Sequence, residues 1–392
     1  MSDDDPNRPA VAKSALGAVE TNATQHDVRN ALIAPGYEIR VGPAGWSYPD
    51  WSGYVYPSPR PKGFHEAAYL AQFFDTIEIN TSFYSPLQPG HAHQWLERVA
   101  ANPRFLFTAK LWQKFTHDTF PSTSDPSTSG PGAPGTTPTD FASPGSSKLT
   151  RTVSGPTGIP SAEDERAVRA GFDVLRNASK LGAVLLQFPF SFHRTSETTA
   201  YLIALLQRFG DYPLAVEVRH ASWDDPEVFA LLREHHAALC NIDQPIIGRS
   251  LLPSDAKSPA PLDGKSPLPG EKSTTPIGYI RLHGRRYDTW FSDDPTIPPH
   301  ERYNYLYSPE ELKPWANRIQ TESEHTRKVF AVTNNHYLGK GVVNALQLIS
   351  MLKGAKVNVP EPLRQHYLEL EKIASTPPEK PTLFPMGKET KG

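Results

Sequence analysis

Apolar residues fall into eight short runs: EIRVGP (38–43), TIEIN (76–80), RFLFTA (104–109), AVLLQF (183–188), LAVEVR (214–219), AALCNI (237–242), GYIRLH (278–283) and VFAVTN (329–334). They are rich in Val, Ile, Leu and Phe and lack long alternation of polarity, the pattern of strands buried on both faces. In most of the gaps apolar positions recur three and four residues apart, which predicts helices. FHEAAYLAQFF (64–74) and HAHQWLERVAA (91–101) show this spacing. A third helix starts at SAED (161–164), a capping-box-like signal, and is predicted to stop at Gly182. TSETTAYLIALLQRFG ends at Gly210, PEVFALLREHH follows Trp223, and GVVNALQLISMLKG closes at Gly354. In SPEELKPWANRI, Ser308 is the predicted N-cap and Pro309 the first helical residue. Eight alternating units predict an α/β fold, a (β/α)8 TIM-like barrel, with a doubly wound open sheet as the alternative. The sixth crossover shows no helical pattern.

Composition explains that gap. The chain carries 40 Pro among 392 residues and only 38% hydrophobic residues, poor material for a core. Much of the proline lies in two Pro/Ser-rich stretches, 121–160 and 251–276, which hold too few large apolar residues to offset the entropy of ordering. Both are predicted to be disordered insertions. With a disordered N-terminal segment (1–36) and a flexible tail (375–392), they leave one barrel domain over residues 37–374. The Ser/Thr-Pro pairs of the insertions read as solvated loop.

Charge narrows the partners. A net charge of −2, from 40 basic and 42 acidic side chains, gives no global field toward nucleic acid or anionic membrane. The single cysteine, Cys240, excludes an intrachain disulfide framework and a thiolate-rich zinc site. The opening MSDDDPNRP fits neither a secretory nor a transit signal, and no apolar run reaches about 18 residues. A cytoplasmic protein with no membrane partner is the expectation, with the nucleus left open.

Reactive groups of such barrels sit at the carboxyl ends of strands. Period-two alternation points Glu78, Asn80, Thr108, Lys110, Glu217, Arg219, Arg281 and His283 inward, with Gln187, Asp243, Asn334, Asn335 and His336 at or after strand ends. Three carboxylates (Glu78, Glu217, Asp243) are set against three cations (Lys110, Arg219, Arg281). Such a set is either a closed ion network plugging the barrel or a pocket whose proton affinities are pushed apart. Aromatics share the address: Trp46, Tyr48 and Trp51, then Phe83 and Tyr84, Trp112, Trp223, and Tyr287 with Trp290. They suit a wall for a sugar ring or nucleobase, or lid packing over the mouth. P-loop, dinucleotide, nucleophile-elbow and HExxH motifs are absent. A metal on Glu78, Glu217, Asp243 and His283 is geometrically conceivable, but ligands from separate strands leave no spacing signature. The site is therefore read without a metal, and its cofactor is left unassigned.

VGPAGWSYPDW, EINTSFYS, FTAKLWQKFTH, LLQFPFSF, VEVRHASW, YIRLHGR and NNHYLGKGVVNAL, in this order between residues 38 and 353, resemble the domain-of-unknown-function-72 (YecE-like) family. The matching positions are Gly45-Trp46-Ser47-Tyr48, Glu78, Asn80, Phe83-Tyr84, Lys110, Glu217, Arg219, Arg281, His283-Gly284 and Asn334-Asn335. The resemblance implies a TIM-barrel-like fold and carries no activity with it. From the residues, an enzyme of hydrolase or lyase type is expected, acting on a small polar, anionic, sugar- or nucleotide-like molecule at the barrel mouth. Glu217 would be the general acid or base and Glu78 the second carboxylate. Lys110, Arg219, Arg281, His283, Asn80, Asn334, Asn335, Trp46, Tyr48, Tyr84 and Trp223 would bind substrate. A nucleic-acid-binding or -processing barrel and a non-catalytic binding or scaffold barrel are the alternatives. Oligomeric state is not legible.

Overall fold

Alternation along each strand sorts side chains into two layers, and a barrel follows from it. On the strands Leu181–Gln187 and Lys328–Thr333, Ala183, Leu185, Phe330 and Val332 join a small inner cluster, while Val184, Leu186, Val329 and Ala331 join a large outer one under the helices. The computed structural model describes residues 32–34, 37–117, 160–246, 248–253, 275–290, 292, 294 and 296–375. Eight parallel strands run in the order β2-β9-β8-β7-β6-β5-β4-β3. They are β2 (Tyr37–Pro43), β3 (Thr76–Ile79), β4 (Leu106–Lys110), β5 (Leu181–Gln187), β6 (Leu214–Glu217), β7 (Ala237–Asp243), β8 (Ile277–Leu282) and β9 (Lys328–Thr333). The two end strands meet where Ala44 bridges Glu78 and the Gly45 amide donates to the Glu78 carbonyl at 2.8 Å, so the barrel is nearly closed. Every strand expected from the apolar runs is present within two residues.

Helices α1 (Glu66–Leu70), α2 (Thr81–Tyr84), α3 (Pro89–Val99), α4 (Ala162–Asn177), α5 (Ser196–Phe209), α6 (Pro226–Glu234), α7 (Pro309–His325), α8 (Lys340–Lys353) and α9 (Glu361–His366) fill the connections. Capping boxes start three of them: Ser161 with Asp164, Thr195 with Thr198, and Ser308 with Glu311. Between β7 and β8 no helix occurs among the described residues, which leave out residues 254–274 of that crossover.

Two expectations are corrected. Helix α4 ends at Asn177, and Ser179 takes the left-handed conformation at φ 56°. Gly182 lies inside β5, where a Cβ would meet the Phe330 ring at 2.5 Å. Second, Leu32–Ala34 forms a short strand, β1, antiparallel to β2, within the segment expected to be disordered. The insertion 121–159, most of the second insertion (254–274) and the tail 376–392 lie outside the described residues.

At the closing seam a Cβ on Gly42 would stand 2.0 Å from the Thr76 carbonyl oxygen, a backbone atom that cannot step aside. Gly42→Ala is therefore expected to destabilise the fold by about 1–3 kcal/mol, the usual cost of overpacking. Urea melts of the two chains measure it; equal midpoints would mean that β2 and β3 are not held this close.

Candidate active site

Arg281 on β8 is the centre of the barrel's upper layer. Its guanidinium donates to Glu78 Oε1 on β3 (2.8 Å) and to Glu217 Oε2 on β6 (2.5 Å), and all three side chains are sealed from solvent. A buried carboxylate needs both a partner and hydrogen bonds to remain charged. Glu217 has them: Arg219 adds two bonds to Oε1, from Nε at 3.1 Å and Nη2 at 2.8 Å. Burial alone pushes Glu217 up, but Arg281 and then Arg219 outweigh it and hold the carboxyl well below its usual range. Glu78 is completed by the Tyr279 hydroxyl, 2.9 Å from Oε2 and 2.8 Å from the Thr108 hydroxyl.

Above this layer Lys110 and Arg219 come closest to the surface. Lys110 ends β4 with its side chain 11% exposed, its Nζ 3.9 Å from Glu78 Oε1 and 5.5 Å from the centre of the Phe83 ring. Burial, aided by the Arg281 charge and opposed by Glu78, lowers it to about 8. Arg219 is 18% exposed. His283 follows β8, its Nδ1 3.0 Å from the Asn334 amide nitrogen and its Nε2 between Arg281 Nη1 at 3.3 Å and Glu217 Oε1 at 3.5 Å. Burial and then Arg281 lower His283 to about 3, so it is neutral. His117, edge-on to Phe83, is likewise lowered to about 3 by burial and then by Arg219 and Lys110.

A polar arm flanks the cluster. Gly45 adopts φ +73°, which a side chain rarely tolerates, and turns the chain so that the Tyr48 hydroxyl donates back to the Ala44 carbonyl at 2.9 Å. Asn80 Nδ2 donates to that hydroxyl at 3.2 Å, while Asn80 Oδ1 is buried with no hydrogen-bond partner among the described residues. The Tyr48 ring lies flat on His336, centroids 4.3 Å apart.

The structure thus brings Glu78, Glu217, Lys110, Arg219, Arg281, His283 and Asn334 together, with Asn80 and Tyr48 beside them. It separates the others. Trp46 is buried edge-on against Trp95 of α3, and Trp223 is buried on Phe192 with its indole donating to the Phe192 carbonyl. Asn335 donates to the Tyr305 carbonyl and to Asn344, both at 2.7 Å, tying β9 to α8. Tyr84 is exposed, and its carbonyl accepts from the Trp112 indole. Asp243 turns away to Arg285, which donates to both its oxygens. The expected third pairing of the ion set is therefore with Arg285. Trp51 and Trp290 are also buried, so these tryptophans pack into the interior and present no flat open wall. Among the described residues no group of three or more His, Cys, Asp or Glu is placed to hold a metal ion. Tyr279 and His117 belong to the cluster without having been singled out. Tyr279 sits two residues before Arg281 on the same face, a signal the alternation contains.

These positions lie within the segment matched by a family model. The model described as "Protein of unknown function DUF72" matches residues 40–366. The UPF0759 protein YunF of Bacillus subtilis is 24% identical over 321 residues, covering 80% of this chain and 94% of that protein. A crystal structure of a DUF72 family protein from Thermotoga maritima superposes with a TM-score of 0.57 at 27% identity, covering 80% of this chain and 99% of that one. A DUF72 family protein from Enterococcus faecalis gives 0.58 at 20% identity, over 83% and 98%, and shows the shared fold. With the family model spanning most of its length and the barrel shared with solved relatives, this chain belongs to the DUF72 family.

Proposed function

We propose that the barrel mouth is an active site for a small polar anion, sugar- or nucleotide-like, with chemistry of hydrolase or lyase type. One observation carries this reading: three cations (Lys110, Arg219, Arg281) face two carboxylates (Glu78, Glu217), and the neighbouring His283 and His117 are neutral. The unbalanced positive charge lies at the partly exposed end, on Lys110 and Arg219. In a site of low dielectric such an excess favours an anionic ligand. Glu217 and Glu78 then serve as fixed carboxylates that orient the cations. A carboxyl held as low as Glu217 is a poor proton donor near neutrality, whereas Lys110 exchanges its proton there.

Calorimetry with inorganic phosphate, a panel of phosphosugars and nucleoside monophosphates tests the reading, with turnover followed on the same panel. At least one compound should bind, and Arg219→Gln should weaken it by about 10- to 100-fold, the loss of a charged hydrogen bond. Binding unaffected by that substitution would sink the assignment. Tighter, salt-dependent binding of a single-stranded oligonucleotide would move the site to the nucleic-acid alternative. A Glu217→Gln chain that loses stability while no ligand binds would mark a structural plug.

A further inference from the structure

We propose that Lys110 is a covalent nucleophile, forming an imine with the carbonyl carbon of a small anionic aldehyde or keto acid held at the barrel mouth. This rests on the anion-site reading above and names its substrate class. Position is the first support. Lys110 ends β4 at the site end of the barrel, with about a tenth of its side chain exposed. Its lack of a hydrogen-bond partner is the second. The Nζ stands 3.9 Å from Glu78 Oε1, beyond hydrogen-bond range, and among the described residues it donates no hydrogen bond. Glu78 Oε1 already accepts from Arg281 at 2.8 Å. Three other described lysines that are partly buried are engaged: Lys114 with Asp164 at 2.7 Å, Lys180 with the Pro103 carbonyl at 2.6 Å, and Lys340 with Asn304. Third, an ammonium that is desolvated and set beside another cation gives up its proton readily, the usual way of activating a lysine. Burial and the Arg281 charge do this here, lowering Lys110 to about 8.

The chemistry balances without a cofactor. The ammonium first releases its proton to water at the exposed rim. The nitrogen lone pair then attacks the carbonyl carbon, a C–N bond forms, and the C=O pair moves to oxygen, which takes up a proton as the nitrogen sheds one. The resulting carbinolamine loses its hydroxyl, protonated, as water while the nitrogen pair closes the C=N bond. Arg219, partly exposed and fixed on Glu217, is placed to hold the substrate's carboxylate or phosphate. An imine draws electrons from the adjacent bond, which selects the lyase side of the functional reading.

The test uses the full chain, glyoxylate as carbonyl probe and glycolate as the matched anion without a carbonyl. Borohydride adds hydride to the imine carbon and water supplies the proton on nitrogen, leaving a carboxymethyl group on the lysine that peptide mass spectrometry locates. A surface lysine is amine in fewer than about one part in a thousand at neutral pH. Label on Lys110 should therefore exceed that on any surface lysine by on the order of 100-fold. A Lys110→Met chain that still melts cooperatively should lose it. Glycolate binding with no preferential label on Lys110 overturns the imine and leaves the anion site standing. If neither compound binds by calorimetry and no label forms while a member of the phosphate panel still binds, the imine falls and the anion site stands; if nothing in either set binds, both proposals fall.

Discussion

Arg281→Met should lower the unfolding free energy by roughly 3–5 kcal/mol, the usual result of removing one partner from a buried ion pair. Against a total of about 5–15 kcal/mol for a natural domain, that is a large share. The cost does not come from lost packing, since methionine fills much of the same space. It comes from Glu78 and Glu217, both sealed from solvent and both bonded to this one guanidinium. Without it, Glu78 keeps the Tyr279 hydroxyl and a lysine at 3.9 Å, and Glu217 keeps Arg219. Neither set matches what water offers a carboxylate in the unfolded chain. The sign of the pH effect follows. Protonating a buried, uncompensated carboxylate removes the charge that causes the defect, so the loss is full near neutrality and shrinks as pH falls. Urea melts of both chains at neutral pH and near pH 5 read the difference. Glu78→Gln and Glu217→Gln added to Arg281→Met should restore much of the loss, because the uncompensated charge goes with them. A loss under about 1 kcal/mol at neutral pH would show that water reaches the carboxylates, and the picture of a sealed centre would fail.

Strand positions were legible because a strand covered on both faces must be apolar in each direction, whatever its neighbours are. Glu78, Glu217 and Arg281 followed for the same reason: in an apolar run, an inward charged residue has nowhere to go but toward another. Loop residues carry no such constraint. Trp46 and Trp223 follow their strands at the site end, yet each turns outward to Trp95 or Phe192. Asn335 leaves the mouth where its neighbour Asn334 does not, and one residue of backbone turn decides between them. The partner of Asp243 lies in the loop after β8, beyond the reach of strand alternation. Gly182 read as a helix stop because a glycine after an amphipathic stretch commonly is one. Its real constraint is the Phe330 ring on a strand nearly 150 residues away, visible only once the barrel is formed. β1 is equally nonlocal, since three residues become a strand by borrowing the edge of β2. The state of Lys110 belongs to this class too. It depends on Arg281 and Glu78, brought beside it from other strands.

Mild acid should destabilise this protein before the depressed carboxyl of Glu217 begins to titrate. His283 and His336 are buried, and burial, followed by Arg281 for the first and His300 for the second, lowers each to about 3. In the unfolded chain a histidine takes up its proton near 6.5. Between those values the unfolded state binds protons that the native state refuses. The stability from keeping the rings neutral is thus complete above about 6.5 and is lost as pH falls toward 3. Below pH 6.5 each ring approaches a slope of about 1.4 kcal/mol per pH unit, so the two together approach roughly 2.7, and about 3 kcal/mol is lost between pH 6.5 and pH 5. His117, also lowered to about 3 but partly exposed, adds a smaller amount in the same direction. Glu217 works the same way at lower pH: its depressed carboxyl stabilises above about 4.3 and that contribution disappears as pH falls through the folded value. The two windows barely overlap, so a loss already present at pH 5 belongs to the histidines. Urea midpoints measured from neutral pH down to about pH 5 should fall steeply, and His283→Gln should flatten that fall by about half. A midpoint constant over this interval would mean that the rings accept protons in place, and the neutral His283 beside Glu217 and Arg281 would have to be abandoned, together with the charge balance that makes the mouth an anion site.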